Sequence, residues 1–153
     1  ERLAGPERAW LAGLPVERAQ GPALLIHAGL RWPLWEMVGG RAEAELTLRG
    51  AHAGMVLAGH THVPVALEAR DGVTRRWRNR VRPGVEVELG GDARFLTPGT
   101  VGNARGRDPR ARWLLLDLDA GRAGFRATAY DRAATLAAIR ARGLPGWLLA
   151  MHA

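Results

Sequence analysis

The chain has 153 residues, 47% of them hydrophobic, with 22 basic against 15 acidic residues and a net charge of +7. That length suits one domain, or a large piece of one, with an ordinary core. The absence of Cys excludes disulfides and thiolate metal sites, and no apolar run approaches the roughly 20 residues that cross a bilayer.

All the basic residues are Arg. The surplus fits a phosphate or nucleic-acid partner, or an acidic partner segment carried elsewhere. The opening Glu1-Arg2 leads into no apolar signal-peptide region, so a cytoplasmic location is the expectation.

In chain order, Pro6 to Leu14 reads as a short helix with Pro at its start and Glu7 in its first turn. Ala23 to Gly29 is a strand apolar on both faces, of the kind found inside sheets with helices covering them, and it ends at His27. Arg31 to Met37 is an aromatic loop or a single helical turn, and Ala42 to Leu48 leans to helix. His52 reads as a surface or cap residue.

Met55 to His60 repeats the earlier arrangement: a buried strand, then Gly59, then His60-Thr61-His62, closed by Pro64. Val65 to Ala69 alternates and meets Asp71-Gly72, a hairpin signal, before Val73 to Val81 returns. Period two puts Arg76, Arg78, Arg80 and Arg82 on one face of that strand, and Trp77, Asn79 and Val81 on the other. Such a face is either simply solvated or a contact surface for a phosphate backbone.

Val85 to Leu89 alternates again, and Gly90-Gly91-Asp92 turns into Arg94-Phe95-Leu96. Thr97 to Arg110 is a long Gly/Pro/Arg loop, suited either to an anionic ligand or to plain connection. Arg112 to Leu118 reads as another buried strand, paired with Gly124 to Tyr130 across Asp119-Ala120-Gly121. Asp131 is an N-cap for a helix from Arg132 to Arg142 that Gly143 ends, and Pro145 to Met151 is a last short helix.

Imidazole is the commonest protein ligand for divalent transition metals. Two strands that each end in His, with His62 beside the second, therefore make a candidate metal site at a strand-end cleft. The competing reading is an ordinary wet strand end. No carboxylate cluster lies near these residues in sequence, and Gly91-Asp92 falls between alternating segments and reads as a turn.

The segments Leu25-Ile26-His27-Ala28-Gly29, Val56 to Pro64 with its Gly-His-Thr-His core, and Leu96 to Asn103 followed by Asp108-Pro109-Arg110-Ala111 come in an order that resembles calcineurin-like metallophosphoesterases. They look most like the small bacterial phosphodiesterase branch, from about Pro6 to the C-terminus. The resemblance implies a hydrolase that cleaves phosphodiesters with two divalent ions, manganese first, with iron, zinc, nickel or magnesium as alternatives. Position by position it implies His27 and His60 on one ion and His62 on the other, with Asn103 and Arg105 near the substrate phosphate. It assigns no catalytic residue within this chain. Ala28, Thr100 and Asn103 stand where the family often has Gly, Ser and Gln.

The Asp-x-His and Gly-Asn-His-Asp/Glu motifs of the family's first half do not occur in these residues. The expectation is a single partial domain over residues 1–153, the C-terminal half of such an enzyme, inactive alone and completed by a segment or separate chain that brings the carboxylates. The expected fold class is α/β: the C-terminal part of a four-layer α/β/β/α sandwich, with a mixed sheet and flanking helices. Two other functions fit the residues: an Arg-rich nucleic-acid-binding domain, or a non-catalytic partner subunit of a split enzyme. A phosphate ester is the expected ligand, and no membrane is.

Overall fold

The computed structural model describes residues 3–91, 93–104 and 106–152. The chain runs α1 (Gly5–Ala12), β1 (Glu17–Gln20), β2 (Ala23–Ile26), α2 (Arg41–Ala51), β3 (Met55–Leu57), β4 (Val65–Arg70), β5 (Val73–Asn79), β6 (Glu86–Glu88), β7 (Ala93–Thr97), β8 (Ala111–Asp117), β9 (Arg122–Thr128), α3 (Arg132–Ala141) and α4 (Gly146–His152). No helix among the described residues is long and apolar enough to cross a membrane.

Six strands form a mixed sheet in the order β1-β2-β3-β7-β4-β5, and three form a second sheet in the order β6-β9-β8. In the larger sheet β2, β3 and β7 run parallel, whereas β1, β4 and β5 are antiparallel to their neighbours. Its two faces bury different partners. Ile26, Val56, Val65, Leu67 and Phe95 pack with Ala44 and Leu48 of α2. Ala23, Met55, Ala66 and Leu96 pack with Val87, Ala123 and Phe125 of the smaller sheet. Helix, sheet and sheet are thus stacked as layers, the mixed α/β arrangement expected of this chain.

Three parallel strands share one direction, so their C-terminal ends lie along one edge. Leu25 pairs with Leu57, and Leu57 with Leu96. Whatever follows Ile26, Leu57 and Leu96 therefore collects at that edge, where α/β proteins place ligands.

Much of the local pattern follows from the residues. Asp71 and Gly72 both take positive φ, 51° and 69°, the geometry a two-residue hairpin needs. The Asp131 carboxylate accepts from Ala134 N at 2.9 Å and caps α3. His52 ends α2 in the left-handed conformation, as a cap.

Four expectations change. β1 was not foreseen: its residues Glu17-Arg18-Ala19-Gln20 are all exposed, and only backbone pairing with β2 makes them a strand. β2 is not covered on both sides; Leu24 and Leu25 remain half-exposed because only the exposed β1 lies beyond. β8 is not a buried strand. It alternates, with Leu114 and Leu116 against the core, and Trp113 and Leu115 exposed. The four arginines of 76–82 do not share one strand face, because β5 ends at Asn79 and Arg80 turns out at φ 54°. The Asp92 turn lies outside the described residues.

Thr97, 1% exposed at the end of β7, ties the edge together. Its hydroxyl donates to the Val63 carbonyl and accepts from Val65 N at 3.1 Å, which holds the chain leaving His62. Thr97→Val keeps the shape and removes both bonds, leaving a buried N–H unpaired. It is expected to lower unfolding free energy by about 1–3 kcal/mol in urea titration.

Candidate metal and anion site

His27 leaves the end of β2, and His60 leaves the end of β3. The Gly59 N–H donates to the His27 carbonyl at 3.0 Å, extending the parallel ladder past both strands. A Cβ on Gly59 would sit 3.4 Å from that carbonyl, so glycine lets the two ends close up. The result is direct contact. His27 Nε2 and His60 Nδ1 stand 3.1 Å apart, and the rings meet edge to face with centroids 4.9 Å apart.

Backbone strain accompanies this contact. Thr61 N donates to the Gly59 carbonyl at 2.7 Å, closing a three-residue turn around His60. His60 has φ 59°, which makes this the rare positive-φ form of the γ-turn. His62 also has φ 59°. Two non-glycine residues in the left-handed region within three positions is a costly arrangement, and such strain concentrates at functional sites. Thr61, 5% exposed, holds the turn from inside, its hydroxyl accepting from Val63 N at 3.3 Å.

His62 is oriented by the loop after β7. Its Nδ1 bonds the Asn103 backbone carbonyl at 3.1 Å. A carbonyl only accepts, so Nδ1 carries the proton and Nε2 presents the lone pair, as in metal-binding histidines held by an outer partner. The Asn103 N–H in turn donates to Thr100 Oγ1 at 3.3 Å. Desolvation, then the neighbouring His60 and His62, push the His27 imidazole below its ordinary value. A neutral ring is the form that binds a metal.

The donor chemistry thus suits a divalent ion, but the set is partial. Among the described residues no group of three or more His, Cys, Asp or Glu side chains is placed to hold an ion. The buried Glu36 carboxylate lies behind Gly29, where it takes Arg31 Nε at 2.6 Å and Arg31 N at 2.9 Å. It is committed to its arginine.

Beside His62 opens a pocket of about 260 Å³, walled by Arg80, Arg82, Arg107, Asp108 and Arg112 with Thr100 and Pro64. The sequence pattern had assigned Arg80 and Arg82 to a strand face and had not singled out Arg107 or Arg112. Only the left-handed Arg80, which breaks the alternation, brings these side chains to the loop. Arg105 lies outside the described residues. Asn103 contributes its backbone carbonyl to His62.

Asp108 receives Arg110 Nε at 2.9 Å, Arg110 Nη2 at 2.7 Å and Arg112 Nη2 at 2.9 Å. The Arg110 side-chain bonds, helped by its N–H and the Arg112 charge, hold the Asp108 carboxyl at about 2 against the upward push of burial.

Two outcomes follow. His60→Gly should be more stable than His60→Ala by about 1–2 kcal/mol, read from urea midpoints, because glycine alone adopts positive φ freely. Asp108 is depressed on folding, so its stabilisation is complete above the ordinary 3.8 and disappears as pH falls to about 2. Melting temperatures measured down that range should fall less steeply for Asp108→Asn than for the parent.

No protein-family model and no curated protein matches the chain. Solved structures do. A crystal structure of a metallophosphoesterase from Sphaerobacter thermophilus superposes with a TM-score of 0.86 at 28% identity, over 99% of this chain and 64% of that one. A hypothetical protein from Pyrococcus horikoshii OT3 superposes with a TM-score of 0.72 at 16% identity, over 97% of this chain and 54% of that one, a likeness of fold alone. The chain therefore spans less than two thirds of either neighbour's length. Its α/β layers, with the mixed six-stranded sheet at their centre, place it in the metallophosphoesterase superfamily.

Proposed function

We propose that this chain is the histidine-bearing part of a metal-dependent phosphodiesterase. The supporting observation is the meeting of two ring nitrogens, His27 Nε2 and His60 Nδ1, at 3.1 Å on the ends of adjacent parallel strands. His27 and His60 would hold one divalent ion, and His62, through Nε2, a second. Bound ions at such a centre polarise phosphoryl oxygens and acidify the attacking water.

The chain's own residues supply the rest. The Gly59 N–H fixes the spacing of the two strand ends, and the Asn103 carbonyl fixes the tautomer of His62. The arginines beside His62 would draw in and orient an anionic ester. Two divalent ions bring four positive charges, and neutral imidazoles offset none of them. Carboxylates from a polypeptide segment other than the described residues complete the centre in this reading. The isolated chain then binds metal weakly and hydrolyses almost nothing.

Manganese titration by calorimetry tests the first part. Weak binding is expected, with His27→Ala or His60→Ala lowering affinity by more than about tenfold; no binding by the folded parent chain refutes the metal reading. Incubation with a chromogenic phosphodiester tests the second, and substantial turnover by the purified chain alone would refute its incompleteness.

A further inference from the structure

Arginines dominate the wall of the pocket next to His62. Four guanidinium groups, those of Arg80, Arg82, Arg107 and Arg112, line about 260 Å³ together with a single carboxylate, Asp108. That carboxylate is already shared by Arg110 and Arg112. Arg82 and Arg107 are exposed and make no ion pair among the described residues. Arg82 and Arg107 thus bring positive charge to the pocket that a bound anion would offset.

The walls are held by backbone rather than by chance side-chain packing. Arg112 N donates to the Thr100 carbonyl at 2.8 Å, and Val81 N to the Pro64 carbonyl at 2.9 Å. Val81, 5% exposed, pins the chain between Arg80 and Arg82 to the core. Gly99, at φ 99°, lets the loop pass within 3.0 Å of Arg112 Cβ and 3.3 Å of Pro64, measured from where its own Cβ would stand. The left-handed turn at Arg80 carries its guanidinium across to the loop, 3.7 Å from the same point on Gly106. A left-handed step just past the end of β5 and a loop folded back on it thus bring arginines from two segments to one space.

His62 belongs to both features. Its Nδ1 is tied to the Asn103 carbonyl, and its ring forms one wall of the pocket. An anion in the pocket would therefore sit next to whatever occupies the histidine corner. We propose that this pocket binds a second phosphate group of the substrate, so that the substrate class is a diester with linked phosphates, such as a nucleoside diphosphate esterified at both ends, rather than a diester of a single phosphate. The assignment of that phosphate to a substrate rests on the hydrolytic reading of the histidine pair. The guanidinium groups ring one cavity instead of following an open track, which suits a compact polyphosphate over a nucleic-acid strand.

Calorimetric titration of the full chain with inorganic tripolyphosphate in a chelator tests the pocket without metal. Tripolyphosphate should bind at least about tenfold more tightly than orthophosphate and weaken steeply with salt. The double variant Arg82→Ala/Arg107→Ala, two exposed positions, should lose at least about tenfold of that affinity at an unchanged melting temperature. Arg49→Ala, on the helix covering the other face of the large sheet, should lose none. Equal affinity in the double variant, no preference over orthophosphate, or tighter binding of a single-stranded oligonucleotide would each overturn the proposal. Manganese titration of the same preparations separates the two readings: a parent chain that binds tripolyphosphate but no manganese sinks the hydrolytic centre and leaves the anion pocket.

Discussion

One hydrogen bond sets the functional edge of the molecule. The Gly59 N–H to the His27 carbonyl continues the parallel pairing of two short strands beyond their last regular residues. Parallel strands carry no hairpin to fix their register, so the alignment depends on the ladder and on the apolar layers either side. Here Val56 and Phe95, both 0% exposed, and the α2 residues packed on them hold that alignment. Slipping the pairing by one residue would send His27 and His60 to opposite faces, and their rings could not touch.

The same edge carries the strain. His60 and His62 both take positive φ within a segment of three residues, and Thr61 between them is buried. The surrounding core over-determines the turn: Thr97 bonds both Val63 and Val65, and Pro64 follows at once. Strain here has a geometric consequence. An extended continuation of β3 would put both imidazoles, two positions apart, on one face of the strand, whereas the left-handed steps separate them, His60 to His27 and His62 to the loop at Asn103.

Charge is distributed to match. At the histidine corner, desolvation and then the neighbouring His60 and His62 disfavour protonation of His27. The positive charge lies one step away, around the pocket walled by arginines from the 80–82 and 107–112 segments. Among the described residues the acidic groups near this edge are engaged elsewhere, Glu36 by Arg31 and Asp108 by Arg110 and Arg112. The edge thus sets imidazole nitrogens beside arginine side chains, and in the proposed function it takes metal only together with further negative charge.

The residues by themselves determined the parts that local chemistry controls. Apolar runs ending at His27 and His60, the Asp71-Gly72 hairpin and the Asp131 cap were all legible, because period, turn residues and capping oxygens act within a few positions. The layered α/β class followed from them. What tertiary structure alone decided was non-local: β1 exists through pairing with β2, since its own residues show no apolar face. β8 is half-exposed because nothing among the described residues covers its outer side. The arginine pocket needed the left-handed step at Arg80, which period two cannot signal. Contact between His27 and His60, 33 residues apart, came from strand register, a property of two segments at once that neither segment encodes alone.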